Sequence, residues 1–175
     1  MLKKIATVVV VAIAGLLAYA AMQPDSFRVQ REATIQAPPE KVFALVNDFK
    51  QWPAWSPWEK LDPAMKRTLG GAATGKGASY GWEGNKDVGK GRMEITDSAP
   101  PAKLSIKLDF IEPFEANNTA DFSFEPQGTG TRVVWAMHGP SPFISKLMCV
   151  FVSMDRLIGK DFEKGLVQLK AAAER

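Results

Sequence analysis

The chain has 175 residues, 46% of them hydrophobic, and a formal net charge of +3. That length suits one domain with a core large enough to bury most of its apolar surface. Lys3 and Lys4 supply two of the charges, so the remainder carries 20 Lys and Arg against 19 Asp and Glu, a balance that excludes a basic face for phosphates and with it nucleic acid as a partner.

The first predicted element is apolar. Behind Lys3 and Lys4, the run from Ile5 to Met22 has no charged residue. As a helix it is about 27 Å long at 1.5 Å per residue, enough to cross a hydrocarbon core. Apolar all round with two lysines at its head, it suits lipid better than a protein interior. It reads as a retained membrane anchor. The alternative is a signal peptide cleaved at the small-x-small site Ala18-Tyr19-Ala20, which leaves a secreted, periplasmic protein. Both place the two lysines in the cytoplasm and the body outside it, on the periplasmic side. The chain thus divides into an anchor or signal segment (1–22), a linker (23–26) and one domain (27–175).

From Phe27 to Ile35 apolar and polar residues alternate as in a half-buried strand. Arg31 falls in phase with the apolar set and is expected at a sheet edge, where its stem can snorkel; a buried carboxylate partner is the other reading. Pro38-Pro39 stops the strand and starts a helix, whose apolar face is Val42, Phe43, Leu45 and Val46. Then Phe49, Trp52, Trp55 and Trp58 fall within ten positions, interrupted by Pro53 and Pro57. This stiffened aromatic segment is expected to lid a cavity.

Met65–Leu69 reads as a short strand, followed by a glycine-rich loop. That loop, GGAATGKGAS, lacks the spacing and the strand–loop–helix setting of a nucleotide fingerprint. Strands follow at Ala78–Gly84, Arg92–Asp97, Lys103–Ile111, Ala116–Glu125 and Thr131–His138, each with alternating faces and bounded by Gly or Pro turns. Short turns between them indicate an antiparallel meander. The inward set includes Leu104, Ile106, Leu108, Phe110, Val133, Trp135 and Met137. From Phe143 to Glu174 the period becomes helical, with Leu147, Phe151, Met154, Leu157/Ile158, Phe162, Leu166 and Leu169 as the buried stripe of one long helix. Gly159 and Gly165 each cost such a helix about 1 kcal/mol relative to Ala, tolerable where something packs close. Cys149, the lone cysteine, lies among apolar neighbours and reads as a buried small residue; it can form no internal disulfide.

Strand, helix, aromatic segment, six strands and a C-terminal helix make an α+β domain in which one curved antiparallel sheet wraps around the helix. The chain resembles the START-like (SRPBCC) superfamily of helix-grip fold, and within it the bacterial polyketide cyclase/dehydrase-type proteins. The resemblance covers Phe27 to Arg175. It rests on FRVQREATIQAPPEKVFALVNDFKQWPAWSPW, YGWEGNKDVGKGRMEI, TRVVWAMHG and MDRLIGKDFEKGLVQLK. It implies a deep apolar cavity for lipids, sterols or polyketide-like molecules. It implies no single activity, since only some members are enzymes.

The cavity is expected to have Trp52, Trp55 and Trp58 at its mouth, Tyr80, Trp82, Met93, Ile106, Leu108 and Trp135 on the sheet, and Phe151, Met154 and Ile158 on the helix. Asn118 shares the parity of Ala120 and Phe122 and is the one candidate polar group inside. His138, Asp109, Glu94 and Glu83 are out of phase with the inward set, so no catalytic residues are assigned. One His and one Cys leave no His/Cys zinc cluster, and no metal or cofactor is called for. These residues favour a membrane-tethered module that binds a hydrophobic small molecule or lipid without catalysis. A cyclase- or hydrolase-type enzyme, with Asn118, Tyr80 or Arg31 polarising the substrate, is the alternative. A third reading exposes Trp52, Trp55 and Trp58 as a docking surface for a partner or for the bilayer interface.

Overall fold

The computed structural model describes residues 1–175, the side chain of Leu2 excepted. Helix α1 (Leu2–Ala21) leads into strand β1 (Ser26–Ile35) and helix α2 (Pro39–Asn47). Two 3-10 turns, Phe49–Ala54 and Pro57–Lys60, carry the aromatic segment. Strands β2 (Lys66–Gly71), β3 (Ala78–Glu83), β4 (Lys90–Ala99), β5 (Lys103–Glu112), β6 (Ala116–Gln127) and β7 (Gly130–Pro140) follow, then helices α3 (Phe143–Cys149) and α4 (Met154–Ala173).

The strands form one antiparallel sheet in the order β1-β7-β6-β5-β4-β3-β2. Hairpins run in sequence from β2 to β7, and β1 then pairs with β7. The sheet curves over α4, giving the α+β helix-grip architecture that the alternation implies. Ile106, Val133 and Phe162 are fully buried, and Leu104, Trp135 and Met137 nearly so. Leu108 and Phe110 are half-buried because they line an open cavity.

The proposed single C-terminal helix is in fact two. The chain leaves α3 after Cys149 and restarts at Met154. Ser153 is the N-cap of α4 and accepts a hydrogen bond from the Arg156 N–H at 3.3 Å, with Asp155 in the first turn facing the positive end of the helix dipole. Helical periodicity runs across this break, which hides it. Cys149 consequently ends a short helix and is half-buried, not a core residue.

Both helix glycines have something close above them. A Cβ at Gly159 would lie 2.2 Å from Arg31 Nη2, and one at Gly165 would lie 2.7 Å from Trp135 Cζ3 and 3.2 Å from Pro57 Cδ. Arg31 sits on edge strand β1, where the sequence put it, but it does not merely snorkel. It donates to Asp155 at 2.7 and 3.0 Å and to Glu163 at 2.7 Å, clamping β1 to α4 through two exposed carboxylates. The partners were expected to be buried or absent; they stand one above the other on the helix surface. The hydrogen bonds to Asp155 and then Glu163 raise the Arg31 pKa, and Arg31 in turn lowers that of Asp155.

The two glycines respond differently to a methyl group. At Gly159 the neighbour is the tip of a flexible arginine, which can shift. At Gly165 it is an indole held between stacked and edge-on aromatic rings. Gly165→Ala is expected to lower stability by about 1–3 kcal/mol despite its gain in helix propensity. Gly159→Ala is expected to stay near neutral. Urea unfolding of the two variants side by side checks the pair, and equal effects would mean that Trp135 does not seat on Gly165.

Candidate ligand cavity

The aromatic segment is placed by its own hydrogen bonds. The last carbonyls of α2 have no helical partner. Trp52 Nε1 donates to Val46 O at 3.0 Å and Trp55 Nε1 to Leu45 O at 2.9 Å, so two indoles close the end of that helix. Asp48 holds the first 3-10 turn by accepting from the Lys50 N–H at 2.9 Å. The rings therefore point inward. Trp52 is 5% and Trp55 0% exposed, which removes the reading of this segment as a docking surface.

Behind them lies an aromatic stack. Trp135 stacks on Phe162 with centroids 4.1 Å apart and on Phe122 at 5.0 Å. Trp55 and Trp58 meet Trp135 edge-on, each at 5.7 Å. Trp55 is thus core, sealed between Phe122 and Trp135, and does not line the cavity.

The cavity has a volume of about 280 Å³. Of the residues expected to form it, Trp52, Trp58, Tyr80, Trp82, Met93, Ile106, Leu108, Trp135 and Ile158 line it. Trp55, Asn118, Phe151 and Met154 do not. Asn118 is buried against Gly139 of the neighbouring strand, where a Cβ would come within 2.1 Å of its Oδ1. Phe151 falls in the turn between α3 and α4 and is 68% exposed. Met154 opens α4, whose phase is reset by the Ser153 cap. Ala120 and Met137 complete the floor.

The mouth is not at the tryptophans. Lining residues near Trp52, Ile106 and Trp135 are buried, whereas Asp87, Glu112 and Pro113 are exposed. Asp87 and Pro113 stand in the β3–β4 and β5–β6 connections and Glu112 ends β5, all at one end of the sheet, and the cavity opens there.

One charged group in the cavity wall has no counterpart in the sequence reading. Glu59, in the second 3-10 turn, is 8% exposed. Its Oε1 accepts from the Tyr80 hydroxyl at 2.5 Å, and its Oε2 accepts from Arg67 Nε at 2.7 Å. Arg67 also donates to Met65 O at 2.8 Å. A 3-10 turn has no apolar period by which an inward residue can be recognised. Arg67 was the available signal: it is in phase with Met65 and Leu69, as Arg31 is in phase with its own strand. Each in-phase arginine marks a carboxylate across the fold.

Burial, then the hydrogen bond to Glu59, pushes the Tyr80 phenol well above its ordinary pKa. The unfolded chain therefore releases this proton first. The stabilising contribution is fully present below about pH 10, the unfolded tyrosine value, and is lost as pH rises beyond it. In a Tyr19→Phe variant, absorbance at 295 nm should report Tyr80 ionising only together with unfolding. A tyrosinate signal that appears while the fold is still intact would mean that Tyr80 is not held by Glu59.

His138 pairs with Asp121 at 2.9 Å, Glu94 with Arg92 at 2.8 Å and Glu83 with Lys90 at 3.5 Å, all outside the cavity lining. Among the described residues no group of three or more His, Cys, Asp or Glu side chains is placed to hold a metal ion.

The fold recurs widely among solved structures. An uncharacterised protein from Rhizobium leguminosarum is 16% identical with a TM-score of 0.62, covering 86% of this chain and 95% of its own. The di-domain ARO/CYC BexL of the BE-7585A biosynthetic pathway is 15% identical with a TM-score of 0.64, covering 91% of this chain and 53% of its own. The Aha1 dimer from Colwellia psychrerythraea is 15% identical with a TM-score of 0.58, covering 85% and 96%. At such identities the likeness is one of fold. No functionally curated protein is similar enough in sequence to match. Residues 26–174 match the family described as "Polyketide cyclase / dehydrase and lipid transport", and the chain belongs to that family.

Proposed function

We propose that the chain is a membrane-tethered binding domain for a ligand with an apolar body and one polar group, of lipid, sterol or polyketide-like type. The observation that carries this is the cavity itself: about 280 Å³ walled by aromatic, Met and aliphatic side chains, with the Glu59–Tyr80 pair as a localised polar feature. Such a lining selects an apolar body by area and orients it by one hydrogen bond. The oxygens of Glu59 each keep a lone pair after serving Tyr80 and Arg67, so the polar group favoured is a donor, such as a hydroxyl.

Tethering is proposed from α1, whose segment Lys3–Ala21 is long and apolar enough to cross a membrane. Retention of the segment is favoured by packing. Among the described side chains of α1, Leu16 and Ala20, four residues apart on one face, are the covered ones, and α3 packs against this helix. Cleavage after Ala20 would strip this cover from α3.

A fluorescent sterol or fatty acid titrated into the full chain tests the reading. Saturable binding is expected, with at least a tenfold loss of affinity in Ala120→Trp, which fills the cavity from β6 while α4 and the sheet stay paired. Failure of both probes to bind the intact protein would overturn it. The Glu59 carboxylate also sustains a second reading, a cyclase-type enzyme acting on a polyketide-like substrate in the same cavity. Turnover of such a substrate, abolished in Glu59→Gln with binding retained, would select it.

A further inference from the structure

We infer that the end of the sheet bearing the cavity mouth docks on the bilayer, with α3 and the corner after it inserted as a short wedge beside α1. This rests on the reading of α1 as a retained span.

The strand register places several features together. Ser26 pairs with Pro140, Phe110 with Ala116, Lys90 with Glu112 and with Glu83. One end of the sheet therefore carries the exit of α1, the start of α3, and the β3–β4 and β5–β6 connections that form the mouth. Outside α1, the large exposed apolar side chains concentrate at this same end. Phe114, 71% exposed, tips the β5–β6 connection; Phe143, Ile144, Met148, Phe151 and Val152 are 47%, 65%, 52%, 68% and 42% exposed on α3 and its corner. A patch of this kind on a soluble surface is a liability unless something covers it.

What covers it follows from α1. The chain enters β1 from the C-terminus of α1 and leaves β7 into α3, so α3 runs back along α1 toward the membrane. It packs on α1, whose covered residues Leu16 and Ala20 lie in its C-terminal half. A helix of seven residues is about 10 Å long, less than the roughly 15 Å of one leaflet's hydrocarbon. The wedge thus enters one leaflet without crossing the bilayer. Its one charge is removed from that depth: Lys146, 8% exposed, turns back to pair with Asp25 at the foot of α1. The Asp25 carboxyl is held below its usual range by this pair. Glu112 and Glu115 flank Phe114, so the carboxylates of that loop stay among the headgroups while position 114 meets the edge of the hydrocarbon. With the mouth against lipid, an apolar ligand passes between cavity and leaflet without crossing water.

Depth-dependent quenching on the full chain decides this. In a Cys149→Ser background, an environment-sensitive fluorophore is placed at Tyr19→Cys, Phe114→Cys, Phe151→Cys or Val167→Cys. The protein is reconstituted in vesicles of phosphatidylcholine and phosphatidylglycerol. Labels at 19, 114 and 151 should lose emission to doxyl-labelled lipid and resist aqueous iodide. The label at 167, on an exposed residue of α4 about 20 Å from its start, should do the reverse. A lipid-quenched label at 19 with iodide-open labels at 114 or 151 keeps the span and overturns the docked mouth. Iodide-open labels at both 19 and 151 overturn the span, and the inference with it. Labels at 151 shielded from both quenchers, with the unsubstituted protein cross-linking into dimers through Cys149, would give the patch to a second copy and overturn the bilayer as its occupant.

Discussion

Trp135→Ala is expected to destabilise the domain by about 3–5 kcal/mol, the range for deleting a fully packed aromatic. The indole is 2% exposed and is the hub of the aromatic core. It stacks between Phe122 and Phe162, receives the edges of Trp55 and Trp58, and seats on Gly165. Its removal disconnects the sheet from both the aromatic segment and α4. Two effects pull the cost in opposite directions. The new void adjoins an existing cavity, so part of it becomes accessible and the surroundings cannot collapse. Against this, the Trp135 N–H is buried without a partner, a donor whose desolvation costs about 1–3 kcal/mol and whose loss is a gain. The packing of four aromatic neighbours exceeds that gain. Urea unfolding followed by far-UV circular dichroism measures the balance. A loss under about 1 kcal/mol, the surface range, would mean that the core is not organised around this ring.

Much of this arrangement is legible in the sequence because strands announce their faces. A one-residue error of register would invert a strand, so the alternation in Lys103–Ile111 and Thr131–His138 fixes which side chains meet the helix. The in-phase position of Arg31 likewise foretells an unusual environment, though not its two exposed partners. Elements without a period are where the reading fails. The two 3-10 turns give no rule by which Trp55 is core while Trp52 and Trp58 line the cavity, and none that brings Glu59 inside. The break between α3 and α4 is masked because apolar residues recur through it, although Ser153 and Asp155 spell an N-cap and a first turn. That single break accounts for the misplacement of Phe151 and Met154.

Glu59→Ala is expected to cost about 2–3 kcal/mol and to remove the polar contact of the cavity. Its removal strands two donors. The Tyr80 hydroxyl is buried and is left without an acceptor, a penalty of about 1–3 kcal/mol. The Arg67 side chain is 31% exposed and can turn to water, so its share falls below the 3–5 kcal/mol typical of breaking a fully buried pair. Stability alone does not account for the cluster, because apolar side chains of similar shape often replace a buried polar group without loss. A combined Glu59→Leu, Tyr80→Phe, Arg67→Met variant is therefore expected to unfold within about 1 kcal/mol of the parent. Its binding should split by ligand chemistry. A sterol with its 3-hydroxyl should lose at least tenfold in affinity, about 1.4 kcal/mol, while the corresponding sterol hydrocarbon should bind unchanged. Equal losses for both probes would make the cluster a packing feature of the wall. An unchanged affinity for the hydroxylated probe would place its polar end at the mouth, beside Asp87 and Glu112, with Glu59 serving only to tie the aromatic segment to β2 and β3.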